Sequence, residues 1–121
     1  MKRDGDIIED TVFKDGMLNG RRLNNPDMTF TDADRFGCVG FDINPTDISI
    51  ASHVIKEITP NGDGSFNVKA KILESTQGNA LRKMLDNGVE FKMHAHGMGT
   101  LNGDVIEGFK LVSVMVIQTK D

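Results

Sequence analysis

The run Pro60-Asn61-Gly62-Asp63-Gly64 constrains the fold of this chain more than any other stretch. Asn-Gly and Asp-Gly steps supply the positive φ angles of a tight reversal at little cost. Beyond the run, Phe66, Val68, Ala70 and Ile72 recur at a spacing of two, the period of a strand with one buried face. Before it, Val54, Ile55 and Ile58 mark a strand over His53–Thr59. The two segments predict an antiparallel hairpin, with Ser65–Leu73 as the return strand.

The remaining elements are read outward from that hairpin. Asp6–Phe13 reads as a first strand, and Lys14–Pro26 is turn-rich through Asp15-Gly16, Asn19-Gly20 and Asn24-Asn25-Pro26. Thr31 is placed to cap a helical turn at Asp32-Ala33-Asp34. Phe36–Asp42 reads as a strand in which Gly37 and Gly40 signal a bulge or a close backbone approach. Asn44-Pro45-Thr46-Asp47 is a turn. Ser75 or Thr76 caps a helix over Gln77–Asp86, with Ala80, Leu81, Met84 and Leu85 as its apolar stripe and Gly88 after its end. Val89–His96 is a strand, Gly97–Asp104 a loop carrying a hairpin signal at Asn102-Gly103, and Val105-Ile106 a short strand. Gly108 breaks it before a final strand over Phe109–Thr119. The order predicts an α+β fold: a small, mostly antiparallel β-barrel or sheet with one main helix at about 76–87, in a single domain spanning 1–121.

Composition narrows the functional classes. With 121 residues, 38% hydrophobic and 26% charged, the chain is expected to bury one modest core. The longest apolar run, Val114–Ile117, is too short to span a bilayer. Asp4-Gly5-Asp6 follows Met1-Lys2-Arg3 where an apolar signal core would stand, so no secretion signal is expected. A net charge of -4, scattered basic residues and the absence of Tyr and Trp argue against nucleic acid as a partner. A single cysteine, Cys38, forbids an intrachain disulfide and reads as a small buried apolar residue.

His94-Ala95-His96-Gly97-Met98-Gly99 is the most chemical stretch, holding two of the three histidines. Two apart on a strand, His94 and His96 leave the same face and could chelate a metal, but a site needs a third ligand and only His53 remains among the histidines. No metal or other cofactor is expected. None of Ser49, Ser52, Ser65, Ser75 and Ser113 lies in a G-x-S-x-G elbow, so none reads as an activated nucleophile. Gly97-Met98-Gly99 opens no helix and is no phosphate cradle.

Several motifs in fixed order point to a family. Ile48–Ile58 runs into Asn61-Gly62-Asp63-Gly64. Then follow Lys69-Ala70-Lys71-Ile72-Leu73 with Thr76-Gln77-Gly78, a helix ending at Asn87-Gly88, a strand ending Gly97-Met98-Gly99, and Phe109-Lys110-Leu111. Asn19-Gly20-Arg21-Arg22 adds a weaker match near the start. Together they resemble the head-maturation (prohead) proteases of tailed bacteriophages, which share the herpesvirus assemblin-like fold. The resemblance implies a catalytic histidine where Asn44 stands, serines where His94 and Ala95 stand, and an acidic residue where Met115 stands. Asparagine takes no proton at neutral pH and alanine carries no nucleophile. Triad members act as a unit, so their joint loss leaves little catalysis.

The resemblance therefore implies a pseudo-protease: a non-catalytic phage head protein serving as capsid decoration, minor capsid component or core-assembly component. Its partners would be phage capsid or head-protease chains, in a homo- or hetero-oligomer, with neither nucleic acid nor membrane involved. It would reside in the virion or the host cytoplasm. His94, His96, Met98 and His53 are the expected interaction or ligand surface. Two alternatives stand beside it. One is a serine protease with a rearranged site, pairing His94, His96 or His53 with Ser49, Ser52 or Ser113. The other is a phage-encoded ligand-binding or anti-defence module.

Overall fold

The computed structural model describes residues 1–30, 36–37 and 51–119. The elements in chain order are β1 (Lys2–Asp4), β2 (Ile7–Val12), a 3-10 turn at Lys14–Gly16, β3 (Met17–Leu18), β4 (Arg21–Asn24), β5 (Phe36–Gly37), β6 (His53–Pro60), β7 (Phe66–Ile72), α1 (Thr76–Asp86), β8 (Phe91–Asn102) and β9 (Val105–Gln118). One sheet has the order β1-β2-β7-β6-β5 and the other β3-β4-β9-β8. Every strand pair is antiparallel except β4 beside β9, which is parallel. Among the described residues neither sheet closes on itself. The architecture is α+β, two open and mostly antiparallel sheets with one helix.

The hairpin forms as its sequence predicts. Pro60 pairs with Phe66 across the loop, and Asp63 accepts hydrogen bonds from the backbone N–H (2.9 Å) and hydroxyl of Ser65. Val68, Ala70 and Ile72 point inward and are buried. β2 adds to the far side of β7 with Ile8 opposite Ala70. Phe13, just after β2, takes φ 55°, a left-handed conformation costly for a large side chain. Its ring is held edge-on to Phe109 at 5.3 Å and to Phe66 at 6.5 Å, which offsets that cost.

The helix also starts where expected. The Ser75 hydroxyl accepts from the Gly78 N–H at 3.0 Å and donates to the Ala51 carbonyl at 2.8 Å, so one side chain caps α1 and ties it to the chain entering β6. Leu81 is fully buried, a contribution of about 2 kcal/mol. Met84 and Leu85 pack at its edge, whereas Ala80, expected in the apolar stripe, is exposed. Arg82 holds Asp6 through two hydrogen bonds of 2.8 and 3.1 Å, pinning the helix to the β1–β2 turn.

Two expectations need correction. The stretch Lys14–Pro26, read only as turns, contains β3 and β4; Asn19-Gly20 is the two-residue turn between them, with φ of 52° and 78°. That is the backbone a type I′ hairpin turn requires. β1, before the first predicted strand, was likewise not anticipated. The second correction concerns the longest ladder. Gly97–Asp104 is not a loop, because β8 runs through Gly97-Met98-Gly99 to Asn102, and the turn lies at Gly103-Asp104. β9 is likewise unbroken at Gly108. That residue takes φ 64° in a bulge, where Met98 and Thr100 face Lys110 and Glu107. Bulges interrupt the period-two pattern without ending the strand, which is why the sequence reads as broken there.

Gly97 itself is required by packing. A Cβ at this position would be driven into the Lys110 carbonyl oxygen and the edge of the Phe109 ring. Gly97→Ala is expected to lower stability by about 2–3 kcal/mol, seen as an earlier denaturant midpoint. A loss below about 0.5 kcal/mol, the range of an ordinary surface change, would contradict this packing.

Among the described residues two seams join the sheets. At one, Asp10 of β2 accepts from the backbone N–H groups of Thr11 and of Met93 in β8, both at 2.9 Å. At the other, β5 lies against β9, where the Ser113 hydroxyl donates to the Phe36 carbonyl at 3.2 Å.

Candidate functional site

β8 divides its side chains between two faces. Phe91, Met93 and Ala95 join Val114 and Val116 of β9 in the main core. Lys92, His94, His96 and Met98 leave the other face. Antiparallel pairing sets His94 opposite Met115, Ala95 opposite Val114, and His96 opposite Ser113. Two of the positions at which the resemblance implies lost catalytic groups, His94 and Met115, are therefore cross-strand neighbours. Ala95 is buried and points away from both. Asn44, Ser49 and Cys38, with the expected cap at Thr31, lie outside the described residues.

His94 and His96 are half-buried, whereas Met98 is 73% exposed and Leu101 further along β8 is 61% exposed. Burial lowers the His94 pKa below its ordinary value, and the neighbouring His96 and Lys92 lower it further. At neutral pH His94 is accordingly an uncharged imidazole. Among the described residues no three His, Cys, Asp or Glu side chains come together as a metal site, so the His94 and His96 pair has no third ligand there.

His53 departs most from expectation. Proposed for the exposed surface, it is 0% exposed, at the start of β6 between Gly37 of β5 and Ile72 of β7. Its Nε2 lies 2.7 Å from the Val114 carbonyl oxygen, which can only accept, so Nε2 carries the proton. Nδ1 is then the acceptor for the Ser52 hydroxyl at 2.8 Å. Burial pushes the His53 pKa down from 6.5 to about 4, with the Val114 carbonyl opposing the shift. The imidazole thus bridges the two sheets as a neutral ring.

Ser52 and His53 meet the distance criterion for a nucleophile and its base, but not the requirement for access. Both are 0% exposed, and the second ring nitrogen is committed to a backbone carbonyl where a triad would place an orienting carboxylate. The other described serines are also committed: Ser65 to Asp63, Ser75 to the helix cap and Ser113 to Phe36. Sequence reading missed the Ser52–His53–Val114 bridge. Its one signal was a polar pair immediately ahead of the apolar run Val54-Ile55.

Two bulged sheets, joined by a buried bridge and carrying one capped helix after the β6–β7 hairpin, define a prohead-protease-like fold. The solved structure of the bacteriophage T4 capsid assembly protease, gp21, superposes with a TM-score of 0.63 at 20% sequence identity, covering 71% of this chain. This chain spans 58% of the length of that one. A likeness at such identity is one of fold. No protein-family model and no curated protein matches the sequence.

Proposed function

We propose that this chain is a non-catalytic head protein of a tailed bacteriophage, a single domain on the prohead-protease-like fold. It acts as a capsid decoration, minor capsid or core-assembly component. The observation that carries this reading is the commitment of the described serines. Among the described residues, the serine hydrogen-bonded to a histidine, Ser52, is sealed in the interior, and the ring beside it is used to join the sheets. The likeness to a capsid assembly protease supplies the head context. His94, His96 and Met98 form the contact face of this reading, with phage capsid or head-protease chains as partners in a homo- or hetero-oligomer.

Co-sedimentation with purified phage heads tests it. The protein is expected to pellet with heads and to be found in virions by mass spectrometry. Absence from virions together with no binding to heads or to the head protease would overturn the proposal. The Ser52–His53 distance favours a second reading, a hydrolase that opens this seam to act. Under that reading Ser52→Ala abolishes peptide turnover; under ours there is no turnover to abolish.

A further inference from the structure

We propose that two copies of this chain pair edge to edge through β8, antiparallel and about a two-fold axis at Gly99, so that their four-stranded sheets become one. Among the described residues β8 is an edge of its sheet. The other edges are guarded by being short: β3 and β5 have two residues each, and β1 has three, Lys2-Arg3-Asp4, all charged. β8 has twelve residues. Met93–Gly103 holds no Asp, Glu, Lys, Arg or Pro, and it is the longest run without a charge in the chain.

The edge is regular, so its outward groups can be placed. In both bulges of the β8–β9 ladder the extra residue belongs to β9: His96 and Gly97 face Ser113 and Leu111, and Met98 and Thr100 face Lys110 and Glu107. At the start of β8 the Glu90 carbonyl accepts from Thr119 at 3.0 Å, on the β9 side, whereas the Met93 N–H turns away from β9 to Asp10 at 2.9 Å. Alternation along β8 then turns the N–H and carbonyl groups of Gly97, Gly99 and Leu101 outward. Residues 98–102 are exposed, Met98 by 73% and Leu101 by 61%.

Compatible residues meet across the axis. Gly99 faces the partner's Gly99, where two backbones without side chains approach. Leu101 faces the partner's Gly97 and covers a position that has no side chain. Met98 faces the partner's Thr100 on the opposite side of the sheet. Two chains of net charge -4 thus meet where neither β8 edge brings a like charge, and a charged strand from another protein finds no counter-charge there. The pairing uses Met98 and so rests on the contact face proposed above, but it is tested without heads.

The test is sedimentation velocity of the intact chain from about 10 µM to 1 mM, a range suited to a small interface, with amide hydrogen exchange at the lowest and highest concentrations. The mass is expected to rise reversibly to that of two copies, with little dependence on salt. Exchange at Gly97, Gly99 and Leu101 is expected to slow with concentration, and exchange in β1 to stay the same. Leu101→Lys is expected to weaken pairing about tenfold or more, and Met17→Lys, at another exposed apolar side chain, to leave it unchanged. A monomer throughout, a dimer that survives Leu101→Lys, or an equal loss in Met17→Lys would overturn the inference. Protection of the edge only on adding phage heads would also overturn it and give the edge to a head protein. A dimer that ignores heads would support the pairing and overturn the head assignment instead. The exchange map of each variant reports whether its fold is retained.

Discussion

Gly37→Ala is expected to cost about 3 kcal/mol or more. A Cβ at position 37 would be forced into both the His53 Nε2 atom and the Val114 carbonyl oxygen. Those two atoms form the 2.7 Å hydrogen bond that joins the sheets, so neither can give way without breaking it. A backbone carbonyl within a strand cannot swing aside as a flexible side-chain tip can. Chemical denaturation would show the loss as a fall in midpoint with the slope preserved. Pairing the change with His53→Ala adds a second reading. Removing the ring relieves half of the collision, so the double variant should lose less than the sum of the single losses. A Gly37→Ala protein within about 0.5 kcal/mol of the wild type would mean that β5 does not pack as described.

Mild acid is expected to destabilise the fold through the same ring. His53 titrates near 6.5 when unfolded and at about 4 when folded. Between those values the unfolded chain binds a proton that the folded chain refuses. Stability is therefore full above pH 6.5 and falls as pH drops toward 4. The span corresponds to about 3 kcal/mol. Structurally, a proton on Nδ1 would face the Ser52 hydroxyl in a site without solvent. His53→Gln keeps a donor and an acceptor but cannot titrate. It should be less stable at neutral pH and show a flatter profile from pH 6.5 to 4. A wild-type profile parallel to that of the variant over this window would remove His53 as the cause.

Local chemistry made part of this fold legible. The 60–64 turn, the alternation through β7, the Ser75 cap and the Gly88 stop each act within a few residues, and all were read correctly. Gly37 was also read correctly as a close backbone approach, although its partners were not. What failed was long-range or irregular. β3 and β4 total six residues and exist because β9 offers a parallel partner, which no local pattern encodes. β8 and β9 looked broken at Gly97–Gly99 and Gly108 because bulges shift the side-chain period. By sequence His53 groups with His94 and His96 as an interaction or ligand surface, because it is the only other histidine in the chain. Its burial depends on a carbonyl sixty-one residues away. The resemblance to prohead proteases succeeded for the fold, since it rested on the order of several motifs and not on any one of them.

Labelling with a fluorophosphonate, which forms a covalent phosphonyl ester with an activated serine as fluoride leaves, tests most directly whether this protease-like fold carries a working nucleophile. The chain should emerge with its intact mass unchanged, while an active serine protease treated in parallel is fully modified. A stoichiometric adduct mapped to Ser49, Ser52 or Ser113 on the folded protein would contradict the account and identify an enzyme.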